Sequence, residues 1–395
     1  MDALLKGAAV DLHPAGDIKH GVVMQTIRKI ALATYFLSGC LAILATQLLG
    51  TPLYWFNRPL YYSYIALTKQ SFALLVITVT QWWGPTTIRI SGDESVANQM
   101  RRTRDGRVEF DFPERLVMIA NHQIYTDWLY LWWVGYANAP QMHGHIYILL
   151  KESLKHVPIL GQGMQLYRFI FMSRKMAVDE HRMAYRLNKL KEKHTAPDGK
   201  EYMDPMWLLL FPEGTNISPN SRPRSQKWAD KIGVKNPEHT LLPRSTGTYF
   251  CLKQLDKSVE FLYDCTVAYE GIPRGGYGED YFTLSSTYFQ GRPPKSVNFH
   301  WRRFRVADIP LATQEEFDLW LRDRWYEKDA LMEEYLTTGR FPSCADGKKD
   351  YIETAVRTKY PYEFLEVYNV LGGILAVAHF AKRMGHLLLN KPPIK

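Results

Sequence analysis

Asn121-His122-Gln123-Ile124-Tyr125-Thr126-Asp127-Trp128 is the stretch from which the rest of this chain can be read. The run Leu116-Val117-Met118-Ile119-Ala120 leads into it with the composition of a buried strand, and the apolar, aromatic-rich run Trp128 to Val134 leaves it as the start of a helix. His122 therefore stands at a strand-to-helix junction with Asp127 five residues on. Side chains five apart do not stack on a continuous helix, where partners lie three or four apart. The pair meets only if His122 lies at the non-helical entrance and folds back over the first turn. A carboxylate so placed holds the imidazole in one tautomer and leaves its other nitrogen as a general base.

A second junction has the same build. Met206-Trp207-Leu208-Leu209-Leu210-Phe211 reads as a buried strand and ends in Pro212-Glu213-Gly214-Thr215-Asn216. Reactive groups just past a strand suit the C-terminal edge of an open α/β sheet, where ligands bind. Further strand candidates fall at Thr87–Ile90, Ile146–Leu150, Phe169–Met172, Phe261–Tyr269 and Val297–Arg305, alternating with helical or loop stretches. That alternation predicts an α/β fold with a mainly parallel central sheet flanked by helices, spanning residues 86–310.

The two junctions resemble the N-H-x-x-x-x-D and F-P-E-G-T motifs of the glycerolipid and lysophospholipid acyltransferase family. Gly161 to Gln165 followed by Phe169 to Arg174 looks like the family's second motif. Leu241-Leu-Pro-Arg-Ser-Thr-Gly247 and Tyr263 to Tyr269 are similar to the branch that holds the lysocardiolipin and lysophosphatidylinositol acyltransferases. The resemblance runs from about Arg28 to about Phe341, with four motifs in order. It implies His122 and Asp127 as catalytic groups, with Glu213, Gly214 and Thr215 at the acceptor. It also implies Arg174 on the acceptor phosphate, where a guanidinium fork suits the oxygens, and Pro243 and Arg244 beside the acyl donor. No cofactor is implied, acyl-CoA being a co-substrate. Two positions depart from relatives. Members acting on lysophosphatidic acid often end the third motif in arginine, where this chain has Asn216. Arginine is common after the motif histidine in the animal lysocardiolipin branch, where this chain has Gln123. Fungal-type members with N-H-Q look closest, and the resemblance then implies lysophosphatidylinositol, a phosphodiester, as acceptor.

The 395 residues carry a formal charge of +9, which suits anionic partners such as phospholipid headgroups or the phosphates of coenzyme A. No nucleic-acid-binding module accompanies that charge. Cys40, Cys251, Cys265 and Cys344 have no paired spacing, so neither a disulfide framework nor a zinc site is expected. The Asn216-Ile-Ser218 glycosylation sequon lies inside the candidate site and reads as fortuitous.

Ile30 to Leu49 is uncharged over the length of a bilayer-spanning helix, and Trp55, Phe56, Tyr61, Tyr62 and Tyr64 follow as an interfacial aromatic cluster. Leu60 to Trp83 is also apolar but carries Lys69 and Gln70, so it either crosses or dips into one leaflet and returns. Arg28 and Lys29 before the pair, and Arg89, Arg101, Arg102, Arg104 and Arg107 after it, favour a hairpin with both ends cytosolic. Residues 1–85 are thus expected to anchor the chain in the endoplasmic reticulum membrane. Leu311 to Tyr335 reads as an amphipathic helix on the domain's edge, within an extension over 311–345. Residues 346–395 read as membrane-associated, Val367 to Ala381 being either an interfacial helix or a third crossing. Three functions fit the residues: transfer from acyl-CoA to a lysophospholipid (lysophosphatidylinositol, or 1-acylglycerol-3-phosphate), CoA-independent transacylation, and a non-catalytic membrane scaffold. The His–Asp pair favours the enzymes.

Overall fold

A computed structural model describes residues 13–173, 175–196, 198–343 and 351–389, with side chains described to residue 382. Its centre is an eight-stranded sheet: β1 (Thr87–Gly92), β2 (Arg115–Ala120), β3 (Ile146–Lys151), β4 (Ile170–Met172), β5 (Met206–Leu210), β6 (Phe261–Tyr269), β7 (Ser296–Arg305) and β8 (Ile352–Ala355). The spatial order is β8-β1-β7-β6-β2-β5-β3-β4. Strands β6, β2, β5, β3 and β4 run parallel to one another. Strand β7 runs against β6 but parallel to β1, and β8 closes the edge antiparallel to β1. The mainly parallel sheet expected from sequence is present. The parallel block matters for function, because its strands all end at one edge and β2 lies between β6 and β5.

Alternation along the strands divides the core. Leu116, Met118 and Ala120 of β2, with Trp207 and Leu209 of β5, join one apolar cluster. Val117 and Ile119, with Met206, Leu208 and Leu210, join the other. The first face is covered by α1 (Val22–Gly50), α2 (Arg58–Trp83) and α3 (Asp127–Ala137). The second is covered by α5 (Met176–Leu190), α7 (Ser245–Gln254) and α8 (Gln314–Thr338), while α4 (Leu160–Leu166) and α6 (Arg222–Ile232) lie in the connections.

Helices α1 and α2, with α9 (Asn369–Leu389), supply the three segments long and apolar enough to cross a bilayer among the described residues. The protein is membrane-associated through them. Lys69, the charge that breaks the apolar run of α2, faces the sheet domain: it is 1% exposed, and its Nζ sits 3.8 Å from the centre of the Tyr147 ring. A desolvated ammonium over an aromatic face is an attractive contact. Both ends of the α1–α2 hairpin touch the sheet domain. At the base, Arg28 donates to the carbonyls of Trp83 and Tyr288. At the tip, the Arg168 guanidinium lies 4.3 Å from the Tyr62 ring, and Gln47 donates to the Gly163 carbonyl. Along the exposed side of α9, Leu375, Val377 and Phe380 each keep about seven-tenths of their surface. The stretch after residue 346 also supplies β8, an edge strand absent from the sequence expectation.

Helix α8 begins at a capping box, with Thr313 and Glu316 bonding reciprocally, and ends at Gly339 in the left-handed conformation. It is amphipathic, as its interleaved charged and apolar residues suggest. Its buried positions Phe317, Leu321, Trp325, Lys328, Met332 and Tyr335 recur every three or four residues and form a face toward the sheet. Lys328, fully buried, bonds through Nζ to Asp264 Oδ1 at 2.6 Å and to the Cys265 carbonyl at 2.7 Å. Arg302 takes the other Asp264 oxygen at 2.8 Å and reaches Glu327. Burial alone raises the Asp264 carboxyl, but the Lys328 and Arg302 charges outweigh it and hold the group below its usual range. Replacing one partner of a buried pair costs about 3–5 kcal/mol. Lys328→Met is therefore expected to lower the thermal unfolding midpoint of the detergent-solubilised protein by several degrees; an unchanged midpoint would show that the pair contributes nothing.

Candidate active site

Strand β2 ends at Ala120, and Asn121 extends its pairing by side chain. Asn121 Nδ2 donates to the Val267 carbonyl at 2.9 Å, and its Oδ1 accepts from Val267 N at 2.7 Å. The backbone thus leaves the sheet at His122 in a fixed direction. Helix α3 begins five residues later with Asp127, which is fully buried. Asp127 Oδ2 accepts from His122 Nδ1 at 2.8 Å and from the backbone N–H groups of Gln123 at 2.6 Å and Ile124 at 3.1 Å. Its Oδ1 accepts from the Tyr269 hydroxyl at 2.5 Å. A carboxylate in the first turn of a helix is also favoured by the helix dipole. The fold-back required by the five-residue spacing is therefore present. With Nδ1 donating to Asp127, the neutral imidazole carries its lone pair on Nε2. The ring stacks on Phe211, with centroids 4.3 Å apart, and its side chain keeps 18% of its surface.

The second loop leaves β5 alongside. Gly214 has φ +73°, a conformation other residues rarely adopt, and its N–H returns to the Phe211 carbonyl. The Ile217 N–H donates to the His122 carbonyl at 2.8 Å, which ties the two strand-end loops together. Glu213 Oε1 accepts from His122 N at 3.4 Å and from the Trp325 indole at 3.3 Å. Burial pushes the Glu213 carboxyl up to about 8, against the opposing pull of Trp325 Nε1–H, the backbone N–H groups of Leu241 and His122, and the Lys328 charge. Near neutral pH it is mostly a carboxylic acid. Thr215 is half-buried in the same loop. Asn216 is 8% exposed and donates through Nδ2 to Glu279 Oε2, so the sequon is enclosed in the fold.

Pro243 is buried, and Arg244 is exposed at the N-terminus of α7, its N–H bonded to the Pro212 carbonyl at 2.8 Å. The Arg244 guanidinium lies 5.7 Å from the Trp228 ring. Of the residues named from sequence, His122, Asp127, Glu213, Gly214, Thr215, Pro243 and Arg244 are thus gathered on connected loops at the same sheet edge. Arg174 lies outside the described residues. Cys251 is buried in α7 with its thiol pushed up to about 12 by burial, which makes it a poor nucleophile.

Three side chains of the site were not assigned from sequence. Tyr269 ends β6 next to β2, and the strand alternation that places it on the Asp127 face was available as a signal. Phe211 could be inferred from its place at the end of β5. Trp325 had no such signal, because its contact with Glu213 spans more than a hundred residues and depends on how α8 crosses the sheet.

Residues 88–270 match the family described as Acyltransferase, and residues 287–365 match Acyltransferase C-terminus. An uncharacterized acyltransferase of Schizosaccharomyces pombe is 39% identical, over 90% of this chain and 97% of that protein. The 2-acyl-1-lysophosphatidylinositol acyltransferase of Saccharomyces cerevisiae is 38% identical, over 82% of this chain and 88% of that protein. Lysocardiolipin acyltransferase 1 of Mus musculus is 33% identical, over 68% of this chain and 64% of that protein. The fold and these matches define an acyltransferase. The chain belongs to the glycerolipid and lysophospholipid acyltransferase family, with relatives among the fungal lysophospholipid enzymes.

The raised Glu213 carboxyl has a consequence for stability. In the folded protein it keeps its proton up to about pH 8, whereas an exposed glutamate loses it near 4.5. Between those values the folded state binds more protons than the unfolded one, so this group's contribution is full below about 4.5 and is lost as pH rises through 8. Glu213→Gln, which carries the neutral form permanently, is expected to lose less thermal stability than the wild type between pH 5.5 and pH 8. Equal losses would contradict the assignment.

Proposed function

We propose that this protein transfers an acyl group from acyl-CoA to lysophosphatidylinositol, at the cytosolic face of the endoplasmic reticulum membrane. The observation that carries the chemistry is the His122–Asp127 bond at 2.8 Å on a buried, four-times hydrogen-bonded carboxylate, with Nε2 left for the substrate. Nε2 takes the proton of the lysolipid hydroxyl as its oxygen attacks the thioester carbonyl. The tetrahedral intermediate collapses by breaking the carbon–sulfur bond, and the CoA sulfur leaves with the proton returned by the imidazolium. Asp127 fixes the tautomer and offsets the transient positive charge. No acyl-enzyme is required, since a thioester is reactive enough for direct attack.

Glu213, Gly214 and Thr215 bind the acceptor in this reading, Arg174 meets its phosphate, and Pro243 and Arg244 border the donor. Two observations favour a phosphodiester headgroup. The Saccharomyces cerevisiae relative carries that specificity in its name. Asn216 stands where lysophosphatidic acid enzymes often have arginine, and its amide is engaged by the Glu279 carboxylate. Added negative charge on a phosphate monoester would meet a carboxylate there instead of a guanidinium.

The proposed organisation is an anchor over residues 1–85, a catalytic domain over 86–310, a helical extension over 311–345 and a membrane-associated segment over 346–395. Contacts at both the base and the tip of the α1–α2 hairpin support a hairpin that enters and returns on one side. The basic residues at its two ends support a cytosolic placement of that side. Its partners are then the two substrates and membrane lipids, not nucleic acid.

Purified protein offered one labelled acyl-CoA and a panel of lysophospholipids tests the proposal. Lysophosphatidylinositol is expected to be used with a kcat/KM at least about tenfold above lysophosphatidic acid, the scale set by one or two polar contacts in a specificity site. Preference for lysophosphatidic acid would contradict the headgroup reading. Transfer only when a diacyl phospholipid replaces acyl-CoA would contradict the donor.

A further inference from the structure

A cavity of about 220 Å³ opens beside the two motif loops, apart from the residues already placed on the acceptor and the donor. Its wall includes Gln123, the peptide neighbour of His122, and Ile217, whose N–H holds the His122 carbonyl. The position is within one residue of the base. Its volume lies below the roughly 300–1,000 Å³ of sites for drug-sized ligands, too small for a CoA nucleotide and a long acyl chain together. A single lipid headgroup is the right scale.

The lining is polar in an unusual way. Gln123 is 6% exposed, and its Nε2 donates to the His239 carbonyl at 3.2 Å. Its side-chain Oε1 accepts no hydrogen bond among the described residues and is open to the cavity that Gln123 lines. Arg222 uses Nη1 on the Thr240 carbonyl and keeps its other N–H groups for a ligand. Glu238 is anchored by its backbone N–H on Asp329, while its carboxylate accepts no hydrogen bond among the described residues. Tyr277 adds a hydroxyl, and Ile272 and Leu336 add flat apolar wall. An acyl chain entering here would leave these groups desolvated and unpaired. A cyclic polyol phosphate satisfies them: hydroxyls donate to Gln123 Oε1 and Glu238, a phosphate oxygen accepts from Arg222, and the ring's C–H faces meet the apolar wall.

We infer that this cavity is the acceptor-headgroup pocket, built for a phosphorylated cyclic polyol, with Gln123 and Glu238 reading its hydroxyls. The inference rests on the proposed lysophosphatidylinositol reaction and adds the residues that impose it. It also places selectivity directly after the base in sequence, so that headgroup seating and His122 alignment share one turn.

The test uses the full-length chain in mixed micelles with one acyl-CoA, comparing lysophosphatidylinositol with lysophosphatidic acid for the wild type, Gln123→Leu and Glu238→Gln. Glu238 is exposed, so its variant is expected to fold even if the Gln123 variant does not. Each variant should raise KM for lysophosphatidylinositol about tenfold and lower the ratio of kcat/KM for lysophosphatidylinositol to that for lysophosphatidic acid by about as much, as loss of polar readout does. Inositol 1-phosphate should inhibit the wild type competitively against the acceptor and inhibit the variants weakly; inorganic phosphate should do neither. A wild type that prefers lysophosphatidic acid would overturn the proposed reaction and this pocket with it. A wild type that prefers lysophosphatidylinositol, with variants that lose both acceptors equally or lose neither, would overturn the pocket alone. Equal inhibition by phosphate and inositol 1-phosphate would reduce the cavity to an anion site and overturn its polyol specificity.

Discussion

The Asp127 carboxylate accepts four hydrogen bonds in a place with no solvent contact, and the geometry of the whole sheet edge depends on it. One bond holds the His122 ring. Two hold the turn that leads from His122 to α3, satisfying the backbone N–H groups of Gln123 and Ile124 in that loop. The fourth comes from Tyr269 on the neighbouring strand, so the end of β6 is coupled to the end of β2. A carboxylate without these donors would be strongly disfavoured in this interior. The same bonds that make it tolerable there also fix the imidazole that it orients.

The sheet order explains why the pieces converge. Strand β2 lies between β6 and β5, and all three end at one edge. The loop after β2 carries His122, the loop after β5 carries Glu213, and the loop after β6 leads to Glu279 and the cavity wall. Glu213 is further held by Trp325 from α8, a helix anchored on β6 by the Lys328–Asp264 pair. The region matching the acyltransferase C-terminus, residues 287–365, therefore takes part in building the site instead of only following it.

Much of this was legible in the sequence, for physical reasons. The buried strands announce themselves as β-branched and apolar runs, and seven of the eight strands lie at the stretches expected from them. Strand β8 was not legible: Ile352-Glu353-Thr354-Ala355 is short and half polar, and it forms a strand only because the edge of β1 is there to pair with. The amphipathic character of α8 was legible from its interleaved charged and apolar residues, but the burial of Lys328 in its inner face was not, because its partner Asp264 lies far away in the chain. The His–Asp pair was legible because its spacing allows a single mode of contact. The Trp325–Glu213 and Glu279–Asn216 contacts were not, since each joins residues far apart in the chain and follows from packing.

The most direct measurement on the central claim is acyl transfer by His122→Ala, purified in detergent or assayed in membranes containing wild-type amounts of the protein. The predicted result is a fall in kcat of about 10²–10⁴-fold, the usual range for loss of a general base, with membrane association unchanged and the protein still folded, its unfolding midpoint lowered only by the loss of one bond to Asp127. Turnover within a few-fold of the wild type would show that another group removes the proton, and would contradict the catalytic role of the His122 ring and of the buried Asp127 that holds it.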